Sequence, residues 1–138
     1  MLAGPGGGGF ANDLGTFVGR VLMSAIFVWS GFDKLMAPAG TQAYFAKLGV
    51  PLPVVAWIVA VVVEFVGGLA LLLGFQERLT ALILGLWCII TALAGHTNFA
   101  DPDMQIHFMK NIAIAGGFIY IALFGPGPYT LERALRRR

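Results

Sequence analysis

Charged side chains are scarce in this chain of 138 residues: Asp, Glu, Lys and Arg make up 12% of it. About 25% is usual for a soluble domain. Hydrophobic residues make up 58%, and the mean hydropathy is +0.82. Such a chain cannot cover its surface with polar groups, which excludes a freely soluble globule. Disorder is excluded as well, because it requires low hydrophobicity and high charge. The sequence therefore predicts an integral membrane protein of one domain.

Cysteine and catalytic motifs are also nearly absent. The single Cys88 excludes an internal disulfide framework, and its apolar neighbours indicate an inert thiol. We find no Ser/His/Asp arrangement, phosphate loop or nucleotide motif, so no catalytic residue is predicted and we do not expect catalysis by this chain alone. The net charge of +2 is too small to indicate a nucleic-acid partner.

Four long apolar blocks are present, each close to the roughly 20 residues that a helix needs to cross a bilayer. They predict an all-α transmembrane domain over residues 14–128, preceded by a flexible glycine-rich tail (1–13) and followed by a basic tail (129–138). Because backbone groups in lipid must be satisfied within their own segment, continuous apolar blocks of this kind indicate helices. The predicted spans are residues 14–35, 54–75, 79–95 and 104–124.

Short connections between these spans favour an up-down four-helix bundle. Residues 41–48 (TQAYFAKL) read as a short amphipathic helix that lies in the interface, with covering a pocket as the alternative. Small residues at four-residue spacing would let helix backbones approach closely, and the candidate pairs are Gly15/Gly19, Ala81/Gly85 and Ala113/Gly117. Arginines cluster at the end of the chain, so the positive-inside rule predicts a multi-pass protein of the inner (plasma) membrane with both termini in the cytoplasm.

Two charges lie inside the predicted spans. Arg20 is about two turns into the first span, from which it either faces the interior or extends to the headgroups. Glu64 is near the middle of the second span and must be neutral or paired, since a central charge costs about 2.5 to 3.5 kcal/mol. Lys110 opens the fourth span, at a depth from which its side chain could reach Glu64. We therefore predict an Arg20–Glu64–Lys110 network inside the bundle.

Further polar residues gather at the ends of the predicted spans that adjoin the first and third connections. Lys34 closes the first span and His96 the third, while His107 and Asn111 lie at the start of the fourth. The two histidines flank one connection, but neither HxxxH spacing nor an apolar slot for a haem is evident. We accordingly expect no metal and no haem. The candidate ligand-binding or buried polar residues are Arg20, Lys34, Glu64, His96, His107, Lys110 and Asn111.

An ordered set of short motifs across the four spans resembles the DoxX family of four-helix bacterial membrane proteins. The set comprises Gly19-Arg20-Val21, Ser30-Gly31-Phe32-Asp33-Lys34-Leu35, Glu64 with Gly67-Gly68, His96, Phe108-Met109-Lys110-Asn111 and Phe124-Gly125-Pro126-Gly127-Pro128. The family's recurring polar positions would fall on Arg20, Lys34, Glu64, His96 and Lys110. The Lys-Asn pair and the Gly-Pro-Gly exit are similar to its inner-membrane branch.

The resemblance implies an accessory or membrane-anchoring subunit. The family takes its name from a membrane subunit associated with a thiosulfate:quinone oxidoreductase, and relatives are linked to thiol and oxidative-stress systems. Thiosulfate oxidation itself is not carried over, because that chemistry needs partner subunits and no redox cofactor motif is present. The expected partners are the lipid bilayer, a redox protein and a second copy of the chain, with a quinone or lipid between the helices. The alternatives are a small proton-coupled carrier that uses Glu64, or a membrane scaffold without catalytic activity.

Overall fold

The structure is a computed structural model that describes residues 9–137, and this part of the chain contains helices and no strands. Four helices are long and apolar enough to cross a membrane, which confirms the predicted all-α transmembrane fold. Two short helices, α2 after the first span and α6 at the end of the chain, complete it. The elements are α1 (Phe10–Met36), α2 (Pro38–Lys47), α3 (Pro53–Leu73), α4 (Glu77–Gly95), α5 (Pro102–Phe124) and α6 (Leu131–Arg136).

Helix α1 begins earlier than the hydropathy predicts. Its first residue is Phe10 and Gly9 is the N-cap, so residues 10–13 are helical and do not belong to a flexible tail. The rest of that predicted tail, residues 1–8, lies outside the described residues. The apolar run marks where the membrane-compatible part of the helix starts, while the helix itself continues through the polar residues Asn12 and Asp13.

Proline and glycine fix the other helix ends. Pro53 and Pro102 occupy the first positions of α3 and α5, where a missing N–H is tolerated. The Asp101 side chain accepts a hydrogen bond from the Asp103 N–H at 2.9 Å and caps α5. Gly74 ends α3 in the left-handed region with φ +74°, which glycine adopts without a Cβ clash.

Contacts between helix ends establish the up-down order. The Trp57 indole N–H at the start of α3 donates to the Lys34 carbonyl oxygen at the end of α1, over 2.7 Å. At the opposite end of the bundle, the Arg78 guanidinium at the start of α4 donates to the Leu123 carbonyl oxygen at the end of α5, over 3.2 Å. The end with the longer connections (residues 37–52 and 96–101) is called the loop end below.

Helices α1 and α3 approach one another closely at two glycines. A Cβ on Gly31 would lie 2.7 Å from the Phe65 Cα, and one on Gly68 would lie 2.9 Å from the Val28 backbone nitrogen. Of the pairs expected from spacing, Gly15/Gly19 has no atom within 4 Å of a Cβ added at either position, so that pair is wrong. A Cβ on Gly85 in α4 would lie 3.2 Å from the Phe118 Cβ in α5, so a second pair does lie at a close helix contact. Spacing alone does not say which side of a helix has a neighbour.

The apolar core lies toward the end of the bundle at which α1 and α4 begin, which is opposite the loop end. Phe27 and Phe118 pack with ring centroids 5.4 Å apart, against Leu71 and Leu84, which are fully buried. The loop-end half of the bundle encloses a cavity.

Candidate functional site

A π-helical turn over Val62–Val66 interrupts α3 and carries Glu64. Such turns are rare and occur most often at functional sites. Each contains one residue more than an α-helical turn, which changes the direction in which the following side chains point. Here Glu64 points into the bundle and is only 6% exposed.

Three donors converge on the Glu64 carboxylate. The Lys34 ammonium and the Ser30 hydroxyl both donate to Oε2, each at 2.8 Å, and the Trp87 indole N–H donates to Oε1 at 2.9 Å. The Lys34 ammonium also donates to the Ser30 hydroxyl oxygen at 2.6 Å. Every group facing the carboxylate is a donor, so the geometry suits an ionised Glu64 that bridges α1, α3 and α4.

The cation paired with Glu64 is Lys34, and the predicted Arg20–Glu64–Lys110 network is wrong. Lys34 and Ser30 are one turn apart on the face of α1 that packs against the π-helical turn, so both reach the same oxygen. The Lys110 ammonium instead lies 3.4 Å from His107 Nδ1. Matching depths along two helices allowed a Glu64–Lys110 pair, but the carboxylate pairs with Lys34 and the Lys110 ammonium lies beside His107.

Arg20 lies at the opposite end of the bundle and is 3% exposed. Its guanidinium donates to the carbonyl oxygens of Pro126, at 3.2 Å, and Tyr129. It also lies over the Phe17 ring, 5.5 Å from the centroid. Arg20 therefore neither joins the Glu64 cluster nor extends into the headgroups, and it holds the segment after α5 against the bundle. That segment is held again by the Glu132 N–H, which donates to the Gly74 carbonyl oxygen at 3.4 Å.

A cavity of about 550 Å³ occupies the loop end of the bundle. Tyr44, Phe45 and Leu48 from α2 and its C-terminal end form part of its wall, which favours the pocket-covering alternative for this helix. Most of the remaining wall is aliphatic. The polar side chains on the wall, besides the hydroxyl-bearing Tyr44, are Ser30, Lys34, Glu64, Trp87, Thr91, His96, Lys110 and Asn111.

The cavity thus brings together most of the predicted site residues, namely Lys34, Glu64, His96, Lys110 and Asn111. The Asn111 amide donates to the Thr91 hydroxyl at 3.2 Å, which fixes its orientation on the wall. Arg20 and His107 do not line it. Ser30, Trp87 and Thr91 were not predicted: Ser30 could have been found from its spacing of one turn before Lys34, whereas the tryptophan and threonine resemble ordinary membrane-helix residues.

The two histidines lie next to each other at the loop end. Their ring centroids are 5.2 Å apart, and His96 Nδ1 is 3.5 Å from Met104 Sδ. Burial, followed by the neighbouring His107 and Lys110, lowers the pKa of His96 below its ordinary value. His96 is therefore a neutral imidazole at pH 7. Within residues 9–137, no group of three His, Cys, Asp or Glu side chains could hold a metal ion.

Fold and site together define a four-helix membrane protein with a largely apolar cavity, which carries several polar side chains, in one half of its bundle. The DoxX family model matches residues 15–97, and the chain belongs to the DoxX family. It is 42% identical to the inner membrane protein YqjF of Escherichia coli (strain K12), over 92% of this chain and 96% of that protein. It is 37% identical to the inner membrane protein YphA of the same strain, over 91% and 93% respectively.

A more distant relative is CatD of Bacillus subtilis (strain 168), which is provisionally named an oxidoreductase. It is 29% identical over 77 residues, which are 56% of each chain. No solved structure shows a significant match. The family prediction is confirmed, and the names of the two E. coli relatives support the predicted inner-membrane location.

Proposed function

We propose that this chain is an accessory or membrane-anchoring subunit of a redox, oxidative-stress or sulfur-metabolism system, and that its cavity binds a quinone or a lipid. The observation that carries the proposal is the cavity itself: about 550 Å³, with polar side chains on an otherwise apolar wall. Ligand sites of proteins commonly measure about 300 to 1,000 Å³ and combine apolar walls with a few polar groups.

The chemistry of the wall supports an amphiphilic ligand. Lys34 and Glu64 neutralise one another, which leaves the Lys110 ammonium as the cation on the wall without a carboxylate partner among the described residues. With the His96 imidazole nearby, it can donate to an oxygen acceptor, such as a quinone carbonyl or a lipid headgroup oxygen. Val55 and Val59 line the cavity and remain 53% and 42% exposed, so the apolar part of the wall continues to the helix surface.

The provisional oxidoreductase name of CatD supports the redox part of the proposal. A redox protein and a second copy of the chain are the partners we propose, in the inner membrane and with both termini in the cytoplasm. A carrier that protonates Glu64 is less well supported, because both carboxylate oxygens already accept hydrogen bonds. A proton on Oε1 would oppose the Trp87 donor, and a proton on Oε2 would oppose the Lys34 and Ser30 donors. A scaffold would need the ion pair between the helices but no cavity beside it.

The test is to purify the protein in mild detergent, record its visible spectrum and identify extracted small molecules by mass spectrometry. We expect one quinone or lipid per chain, with clearly less of it in Lys110→Met and His96→Ala. Lys47→Met is the matched control, because Lys47 is an exposed lysine of α2 outside the cavity wall. Equal amounts in Lys110→Met and Lys47→Met, or no retained molecule at all, would contradict the proposal. A Soret band would show that a haem is bound after all.

Glu64→Gln separates the alternatives. A scaffold carrying this change is expected to assemble and to show a lower stability as its only defect, because the ion pair is lost, whereas a carrier would also lose proton uptake in vesicles. A binding subunit would keep its membrane accumulation but change its ligand content.

A further inference from the structure

Three side chains with nitrogen or sulfur donor atoms lie together at the loop end, beside the cavity. His96 follows the last residue of α4, and Met104 and His107 lie in the first two turns of α5. Met104 and His107 are three residues apart and so share one face of the helix. The backbone N–H of His96 donates to the Ala92 carbonyl oxygen at 3.1 Å, and Asp101 caps α5, so the two helix ends that carry the cluster are fixed.

The spacing of these side chains fits one shared metal ion. Metal bonds of about 2.0 Å to an imidazole nitrogen and about 2.3 Å to sulfur, at a tetrahedral angle, put the nitrogen and sulfur about 3.5 Å apart. His96 Nδ1 and Met104 Sδ are 3.5 Å apart. Two imidazoles on the same ion would have ring centroids about 5 Å apart by the same arithmetic. The centroids of His96 and His107 are 5.2 Å apart, with an angle of 30° between the rings.

We propose that His96, Met104 and His107 form a binding site for a Cu(I) ion. A thioether is a soft ligand that selects Cu(I), and imidazole nitrogen suits copper as well. The set includes neither a thiolate nor a carboxylate, which are common ligands of Zn²⁺. This inference replaces the expectation from the sequence that no metal is bound, which considered histidines and carboxylates but not methionine.

The neighbouring Lys110 is consistent with a monovalent ion. Its ammonium is 3.4 Å from His107 Nδ1. A neutral His107 that binds the ion through Nε2 carries its ring proton on Nδ1, so the Lys110 ammonium must leave Nδ1 when the ion binds. A cation this close repels a divalent ion about twice as strongly as a monovalent one. The site does not depend on the proposed cavity ligand, although His96 lines the cavity and an ion bound to it would lie at the cavity wall.

The test titrates the purified full-length protein in detergent with Cu(I), without oxygen and in competition with a colorimetric Cu(I) chelator. We expect one Cu(I) per chain and at least about tenfold weaker binding in Met104→Leu and in His107→Asn. Met109→Leu is the matched control, since Met109 is on the same helix, exposed and outside the cluster. X-ray absorption of the copper complex is expected to show one sulfur and two nitrogen neighbours.

Absence of Cu(I) binding, or equal binding by Met104→Leu and Met109→Leu, would overturn the proposal. So would Zn²⁺ binding as tight as Cu(I) binding and unaffected by Met104→Leu. Helix content by circular dichroism verifies that each variant is folded. The ligand content of the cavity is measured separately, so this proposal and the proposed function can fail independently.

Discussion

Replacing Glu64 by glutamine tests the hydrogen bonds that organise the loop end of the bundle. The carboxylate accepts from Lys34 and Ser30 on one oxygen and from Trp87 on the other. Glutamine has the same shape, but one of its two positions is an NH₂ group that can only donate. Whichever way the amide is turned, it places a donor against a donor.

The expected loss follows from the bonds that remain. With the amide oxygen toward Lys34, the Trp87 bond is lost, and a hydrogen bond to a charged group contributes about 1.5 to 3 kcal/mol. Lys34 also loses its counter-ion, which costs about 3 to 5 kcal/mol for a buried pair. The Lys34 side chain keeps 25% of its surface exposed, so solvent offsets part of that loss. We expect Glu64→Gln to lower the free energy of unfolding by about 3 kcal/mol.

A double-mutant cycle identifies the cause. Trp87→Phe alone is expected to cost about 2 kcal/mol, because it leaves one carboxylate oxygen without its donor. In the double variant, Trp87→Phe removes the donor that faces the NH₂ group of the glutamine. The double variant is therefore expected to lose at least about 1 kcal/mol less than the summed losses of the two single variants. Trp29→Phe is the control, since Trp29 is 76% exposed and its change is expected to add independently.

The single cysteine provides the assay. Cys88 is 2% exposed, so a maleimide fluorophore reacts with it only as the protein unfolds, by heat or in a detergent denaturation series. A Glu64→Gln protein within about 0.5 kcal/mol of the parent, or full additivity with Trp87→Phe, would refute this account of the site.

Two further changes address the packing and the C-terminal segment. Gly31→Ala places a Cβ against the α3 backbone and is expected to lower the free energy of unfolding by about 1 to 3 kcal/mol. Gly19→Ala has no neighbour within 4 Å, so we expect it to leave the free energy of unfolding unchanged or to raise it by up to about 1 kcal/mol. The same unfolding assay compares the two, and equal effects would contradict the close approach of α1 and α3. In Arg20→Lys the lysine side chain cannot reach the carbonyl oxygens of both Pro126 and Tyr129, so the C-terminal segment is held less firmly. The Glu132 amide hydrogen is then expected to exchange with solvent about tenfold faster, while the amides of α2 exchange at an unchanged rate and serve as the internal reference. Unchanged exchange at Glu132 would show that Arg20 does not hold the segment.

The number and type of the helices could be predicted because hydropathy reports directly on the membrane. Helix ends were harder to predict, since a helix can extend past the apolar run, as α1 does through Asn12 and Asp13 to Phe10. The glycine contacts at Gly31 and Gly68 could not be predicted from spacing. They depend on which side of α1 faces α3, and nearly every span offers several small residues.

The site was predictable in its residue types and only partly in its pairs. Burial of a charge is costly wherever it occurs, so Arg20 and Glu64 were recognisable from the sequence alone. Their partners depend on rotation about the helix axis. That rotation is altered at the π-helical turn, which contains neither proline nor glycine to reveal it. Lys34 pairs with Glu64 because of this rotation, and Arg20 finds main-chain carbonyl groups at the other end.

The irregular turn in α3 also affects how this helix is compared with others. Since an i→i+5 turn adds one residue, the segments before and after it differ by about 100° from a continuous α-helix. A helical wheel drawn through all of α3 therefore assigns one half of it to the wrong face. A relative with a regular second span would align only with a one-residue gap near Val62–Val66, and an alignment without that gap would match lipid-facing positions of one protein to cavity positions of the other.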